Sequence, residues 1–196
     1  MAELPLVFAL TGASGAPYAV RVLEALARAR MPVWLIVSSH GWRLLTEECG
    51  IADLPQLTAA TGGDWSSITV FDDADRGAKP ASGSQRTRGM LVCPCSMGTV
   101  AAIAHGTSRS LVERAADVTL KEGRKLVVVP RETPLSLIHL RNLTALAEAG
   151  GTVLPAAPGF YHRPDRVGQL VDFIAQRVLD QFGLDIAIAP RWGDPA

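Results

Sequence analysis

The chain holds 196 residues, nearly half of them apolar, with 19 Lys plus Arg against 19 Asp plus Glu. That balance leaves no cationic excess to neutralise a nucleic-acid backbone or to hold a membrane surface, and the longest apolar runs, such as Leu126 to Val129, are far too short to span a bilayer. Three cysteines, Cys49, Cys93 and Cys95, cannot build a secreted disulfide framework, and Cys93-Pro94-Cys95 has the spacing of neither a redox pair nor a zinc pair, so no metal is expected.

No internal repeat or linker divides the sequence, which predicts one domain over 1–196. Met1-Ala2-Glu3 leads into an apolar run without the positive region or cleavage site of a leader, which predicts a cytoplasmic protein. Leu6 to Leu10 reads as a strand and Thr11-Gly12-Ala13-Ser14-Gly15 as a tight turn. From about Ala16 to Arg30, Val20, Leu23, Leu26 and Ala27 recur at helical spacing. Val33 to Val37 reads as a strand buried on both faces, followed by a helix over Trp42 to Cys49. Residues 50–88 are weakly patterned, and Gly77 to Ser84 reads as an exposed loop. Met90 to Cys93 and Lys125 to Val129 are further buried strands. Between them lie helical patterns over Ser96 to Ala104 and Ser110 to Glu122, with Ser110 and Glu113 spaced as a capping box. A helix over Pro134 to Ala149 stops at Gly150-Gly151, Thr152 to Leu154 is a short strand, and Pro164 begins a last helix reaching Phe182. Strands alternating with helices predict an α/β, Rossmann-like three-layer sandwich with a mostly parallel central sheet.

Gly12-Ala13-Ser14-Gly15 lies between a strand and a helix, where backbone N–H groups and the helix dipole favour an anion. The motif alone also fits a turn without a ligand. A dinucleotide fits poorly: Ser14 and Pro17 stand where GxGxxG needs glycine, and the second strand ends in Ser38-Ser39-His40 with no acid for a ribose. A mononucleotide fits better. Arg114, Val118 and Lys121 fall at i, i+4 and i+7, so the two cations share a helix face. Arg177 falls in the stripe of Leu170 and Ile174, a costly place for a charge unless it meets an anion. Ordinary readings stay open, with Lys121 paired to Asp117 and Arg177 extending its head to solvent. Arg131-Glu132 follows a buried strand, at the edge where parallel sheets place ligands. Tyr161 lies in a loop over that edge, where a core-capping role is the favoured reading; His139 and His162 read as structural.

Several segments together resemble the UbiX family of flavin prenyltransferases. They are Thr11 to Ala16, Cys93 to Thr99, Glu113 to Val118 with Leu120-Lys121-Glu122, Val129 to Leu135, Ile138-His139-Leu140, Pro155 to Tyr161, and Val171-Asp172-Phe173 before Arg177. The resemblance spans nearly the whole chain in order. It implies an enzyme that joins a dimethylallyl group from dimethylallyl monophosphate to N5 and C6 of reduced FMN, without a metal. The product, prenylated FMN, would serve a UbiD-type decarboxylase. Protein cations would then stabilise the departing phosphate, in keeping with the absence of an Asp-rich DDxxD motif.

Carried over position by position, the resemblance implies that Gly12, Ala13, Ser14, Ser38, Ser96, Met97, Gly98, Thr99 and Arg131 bind FMN. Tyr161 and Arg177 would hold the substrate phosphate, with Arg114 and Lys121 assisting across a subunit boundary. Glu132 would transfer a proton, Glu48 matches another acidic site position, and Ser14 would sit near N5. A large homo-oligomer is implied, often a dodecamer in that family. One departure is Arg76-Gly77, where members often carry an aromatic on the prenyl pocket; Trp65 or Phe71 could take that place. The rival readings are an FMN-dependent cysteine-type decarboxylase, which leaves Arg114, Lys121 and Arg177 without a task, and a non-catalytic flavin carrier.

Overall fold

The computed structural model describes residues 3–191. The reading of Met1-Ala2 and the last five residues of the expected domain lie outside the described residues. Six strands form one sheet: β1 (Leu6–Leu10), β2 (Val33–Val37), β3 (Ile68–Phe71), β4 (Gly89–Cys95), β5 (Leu126–Pro130) and β6 (Thr152–Val153). Every pairing is parallel and the spatial order is β3-β2-β1-β4-β5-β6, the doubly wound arrangement whose strand order reverses between β1 and β4.

Among the described residues seven α-helices cover the sheet: α1 (Ala16–Arg28), α2 (Ser39–Cys49), α3 (Leu54–Thr61), α4 (Met97–Ala104), α5 (Leu111–Lys121), α6 (Leu137–Glu148) and α7 (Val167–Gln181). Period-2 alternation in the strands builds two cores. Leu6, Phe8, Leu10, Leu91, Cys93, Val127 and Val129 face the layer of α1, α2, α3 and α7. Val7, Ala9, Met90, Val92, Cys95, Leu126 and Val128 face α4, α5 and α6. Among the described residues no helix is long and apolar enough to cross a membrane.

The weakly patterned stretch 50–88 contains α3 and β3, for which the sequence pattern predicts no element. Asp53 caps α3 by accepting the Gln56 N–H at 2.9 Å, and β3 is an edge strand paired only with β2. Helix α2 starts one turn earlier than expected because Ser38 caps it, accepting the Gly41 N–H at 3.0 Å. The expected capping box on α5 is half formed. Ser110 accepts the Glu113 N–H at 3.4 Å, but the Glu113 carboxylate takes Thr107 Oγ1 at 2.8 Å and the Arg109 N–H at 2.7 Å. That carboxylate grips the preceding loop instead of the cap.

Candidate active site

The carboxyl ends of β1, β2 and β4 are stitched together by main-chain and hydroxyl contacts. Thr11, buried at the end of β1, donates through Oγ1 to the Pro94 carbonyl at 3.0 Å and accepts the Ser96 N–H at 2.9 Å. On the other side, the Ser38 N–H donates to the Leu10 carbonyl at 3.0 Å. Two glycines make the approach of α2 feasible. A Cβ at Gly12 would lie 2.4 Å from His40 Cβ, and one at Gly41 would lie 2.7 Å from the Leu10 carbonyl oxygen. The result is a cleft of about 230 Å³ between the starts of α2 and α4, bordered by Gly12, Ser38, His40, Ser96 and Thr99.

Ser38 and Ser96 spend their hydroxyls on helix caps. Ser96 Oγ accepts the Thr99 N–H at 3.2 Å and shares a hydrogen bond with Thr99 Oγ1 at 2.9 Å. The first N–H groups of α2 and α4, including those of Met97 and Gly98, have no acceptor within their own helix. Both helix dipoles point their positive ends at the cleft. The phosphate of a mononucleotide such as FMN fits this cradle, whose walls a side chain at position 12 would force apart by meeting His40.

The N-terminus of α1, which the sequence reading aimed at a phosphate, already has an anion. Glu48 Oε2 accepts the N–H groups of Gly15 and Ala16 at 2.8 Å each. Burial pushes the Glu48 carboxyl up, but hydrogen bonds from Ser14, Gly15 and Ala16 and the nearby Arg131 charge outweigh it. The group is held below the usual carboxylate range. Arg131 Nε donates to the Ser14 carbonyl at 2.9 Å. Ser14, Glu48 and Arg131 thus form one cluster at the mouth of the crevice, with buried Ala13 behind it.

Tyr161 and Arg177 line a second cavity, of about 170 Å³. The Tyr161 ring meets Phe173 edge to face at 5.7 Å and His162 at 4.5 Å. It also folds over Gly159, where a Cβ would come within 2.6 Å of Tyr161 Cε1. Arg177 is not in the buried stripe. The buried face of α7 is Ile174, Ala175, Val178 and Leu179, and Arg177 turns outward, with Nη1 3.5 Å from Asp180 Oδ2.

Arg114 and Lys121 are not brought to that cavity. Helix α5 packs on the opposite face of the sheet from α7. Asp117 pairs with Arg114 at 2.6 Å, not with Lys121, whose ammonium contacts Glu122. Lys121 lies at the amino edge, beside the segment entering β4, where Arg124 donates to the Gly83 and Gln85 carbonyls at 2.6 and 2.7 Å. The seven residues of β4 separate that edge from the Ser96 cradle by roughly 20 Å. Glu132 is exposed, with Oε1 accepting only a local bond from the Thr133 N–H at 3.0 Å.

Arg76-Gly77 lies in an exposed turn after β3. Of the two aromatics, Phe71 lines a cavity with Ser39, Asp73 and Ser110, which also border the cleft. Trp65 Nε1 donates to Thr61 Oγ1 at 3.0 Å, and Phe71 meets Trp34 edge to face at 5.8 Å. Both Cys93 and Cys95 are fully buried, and burial pushes their thiols up, away from reactivity. Among the described residues no group of three or more His, Cys, Asp or Glu could hold a metal ion.

Three residues escaped the sequence reading. Thr11 was legible only as the first residue of a turn, and His40 as a neighbour of Ser38. Asp73, in the unpatterned stretch, fastens the start of α5: its carbonyl accepts the Leu111 N–H at 2.8 Å and its carboxylate the Val112 N–H at 2.9 Å. The Asp72-Asp73 pair directly after Ile68-Thr69-Val70-Phe71 was the available signal.

Comparison with known proteins decides the family. The flavoprotein family profile matches residues 1–179. The flavin prenyltransferase UbiX of Pseudomonas aeruginosa is 44% identical over 196 aligned residues, covering 96% of this chain and 94% of its own. The chain belongs to the UbiX flavin prenyltransferases. It is a transferase of that family, on the Rossmann-like fold expected. Among solved structures, AnUbiX in complex with FMN and dimethylallyl pyrophosphate superposes with a TM-score of 0.89 at 38% identity, covering 100% of both chains. A dodecameric FMN-dependent UbiX-like decarboxylase from Escherichia coli O157:H7 has a TM-score of 0.88 at 42% identity, covering 97% of this chain and 100% of its own.

Proposed function

We propose that the chain, as one flavoprotein domain in the cytoplasm, transfers a dimethylallyl group from dimethylallyl monophosphate to N5 and C6 of reduced FMN. The prenylated FMN then passes to a UbiD-type decarboxylase. The observation that carries the reading is the cluster of Ser14, Glu48 and Arg131 beside a two-helix anion cradle, at the strand-order reversal of the sheet.

In this reading the starts of α2 and α4, with Gly12, Ser38, Ser96, Met97, Gly98 and Thr99, hold the FMN phosphate and ribityl chain. FMN supplies a nucleophilic nitrogen and a ring carbon. Ser14 would stand next to that nitrogen, its hydroxyl held in place by a hydrogen bond to ionised Glu48. Arg131 keeps the Ser14 main chain in place. Tyr161 and Arg177 hold the prenyl phosphate. Leaving-group charge would be met by cations preorganised for it, and Glu132 would serve as a proton-transfer group.

A single chain places α5 and α7 on opposite faces of its sheet. Arg114 and Lys121 therefore reach the phosphate from a neighbouring copy, and the working enzyme is a homo-oligomer. A direct test is to incubate the protein anaerobically with reduced FMN and dimethylallyl monophosphate and add the filtrate to an apo UbiD-type decarboxylase. Restored decarboxylation supports the reading, and a filtrate no better than FMN alone contradicts it.

A further inference from the structure

We propose that the carboxyl-terminal tail brings a further phosphate ligand, Arg191, to the cavity of Tyr161 and Arg177, and that Gln176 is the residue that positions it. The proposal rests on the reading of that cavity as the phosphate end of the prenyl site.

Gln176 is an uncharged polar residue on the buried side of α7, 3% exposed. A buried amide is costly unless its donors and acceptor are engaged. Here Oε1 accepts the Ile188 N–H at 2.7 Å and the Ala189 N–H at 3.3 Å. Nε2 donates to the Ile186 carbonyl at 3.0 Å and to Asp180 Oδ1 at 2.9 Å. Three of these bonds go to the main chain of a segment outside the helices and strands. The side chain therefore latches the tail along α7, and the tail in turn walls the cavity with Ala189, Pro190 and Arg191.

The latch delivers a charge. Arg191 Nη2 lies 2.7 Å from Asp180 Oδ1, and the same carboxylate lies 3.5 Å from Arg177 Nη1 through its other oxygen. Burial pushes the Asp180 carboxyl up, but the bonds from Arg191 and Gln176 and the two guanidinium charges hold it below the usual range. One carboxylate thus aligns two guanidinium groups, and both heads stay about half exposed, at 55% and 53%, at the mouth beside Tyr161. The two guanidinium groups thus converge on one mouth, held side by side. A phosphomonoester is the ligand class that such a paired fork recognises, through charge-assisted bonds.

The test titrates dimethylallyl monophosphate, and separately inorganic phosphate, into the full-length FMN-loaded protein by calorimetry. Arg191→Ala weakens both by about tenfold, the size expected of a charge-assisted bond, while FMN affinity is unchanged. Arg191→Lys recovers part of the loss. Gln176→Leu gives the same weakening together with faster hydrogen exchange at the Ile188 and Ala189 amides. Wild-type phosphate affinity in Arg191→Ala, with a loss in Arg177→Ala, overturns this proposal and leaves the proposed function standing. Wild-type affinity in both variants, or no phosphate binding by the wild type, overturns both.

Discussion

Glu48 and Gly15 are joined across 33 positions of sequence by a 2.8 Å hydrogen bond from the Gly15 N–H to Glu48 Oε2. The end of α2 thereby caps the start of α1 with a full negative charge, where a helix dipole favours one. Glu48→Gln keeps an acceptor and loses the charge. Glu48→Ala loses both and costs about 1 kcal/mol, discounted for solvent exposure of the carboxylate. The Glu48 carboxyl is held low in the folded state. Its stabilising contribution is therefore present above the ordinary carboxylate value of about 4.3 and is lost as pH falls through the lower folded value. Urea unfolding of wild type and Glu48→Gln across acid pH checks this: the gap between them closes on acidification.

Gly12 faces His40 so closely that a Cβ would lie 2.4 Å from His40 Cβ. Gly12→Ala should destabilise the fold by about 1–3 kcal/mol through overpacking and weaken FMN binding by opening the cradle. Because the collision is with the β-carbon, His40→Gly relieves it and His40→Ala does not. Unfolding midpoints and flavin titrations of the two double variants check this.

Arg114 and Lys121 sit on the face of the sheet opposite Arg177. Lys121→Ala and Arg177→Ala should each raise KM for the prenyl phosphate far more than the Kd for FMN. Oligomers reconstituted from equal amounts of the two variants regain activity, since some of their sites combine an intact Lys121 with an intact Arg177. Mixtures as inactive as the parents would show that both residues serve one chain.

Glu132 makes only a local contact with the Thr133 N–H. Glu132→Gln is therefore expected to fold and bind FMN as the wild type does, and to slow prenyl transfer about a hundredfold, the usual worth of a positioned proton-transfer group. Single-turnover flavin absorbance checks this, and an unaltered rate removes Glu132 from the chemistry.

The strands at the sheet centre were legible because β1, β2, β4 and β5 are buried on both faces and read as unbroken apolar runs. The edge strand β3, Ile-Thr-Val-Phe, has one neighbour and two half-solvated faces, so it left no such run. Helix α3 had its signals in Asp53, Pro55 and Gly62, which punctuation alone would have revealed. In the site, the glycine turn was legible as a place of close approach. The identity of the anion at α1 was not, since Glu48 arrives from 33 residues away. Arg177 was placed in a buried stripe because Leu170, Ile174 and Arg177 keep helical spacing. The true buried face runs through Ile174 and Val178, and Arg177 lies about 100° from Val178 around the helix.

The measurement that tests the central claim most directly is mass spectrometry of the flavin released after anaerobic incubation with reduced FMN and dimethylallyl monophosphate, with the diphosphate run alongside. The account predicts a flavin heavier by one dimethylallyl unit, formed from the monophosphate and absent with heat-inactivated protein. Unchanged FMN with both donors would contradict it.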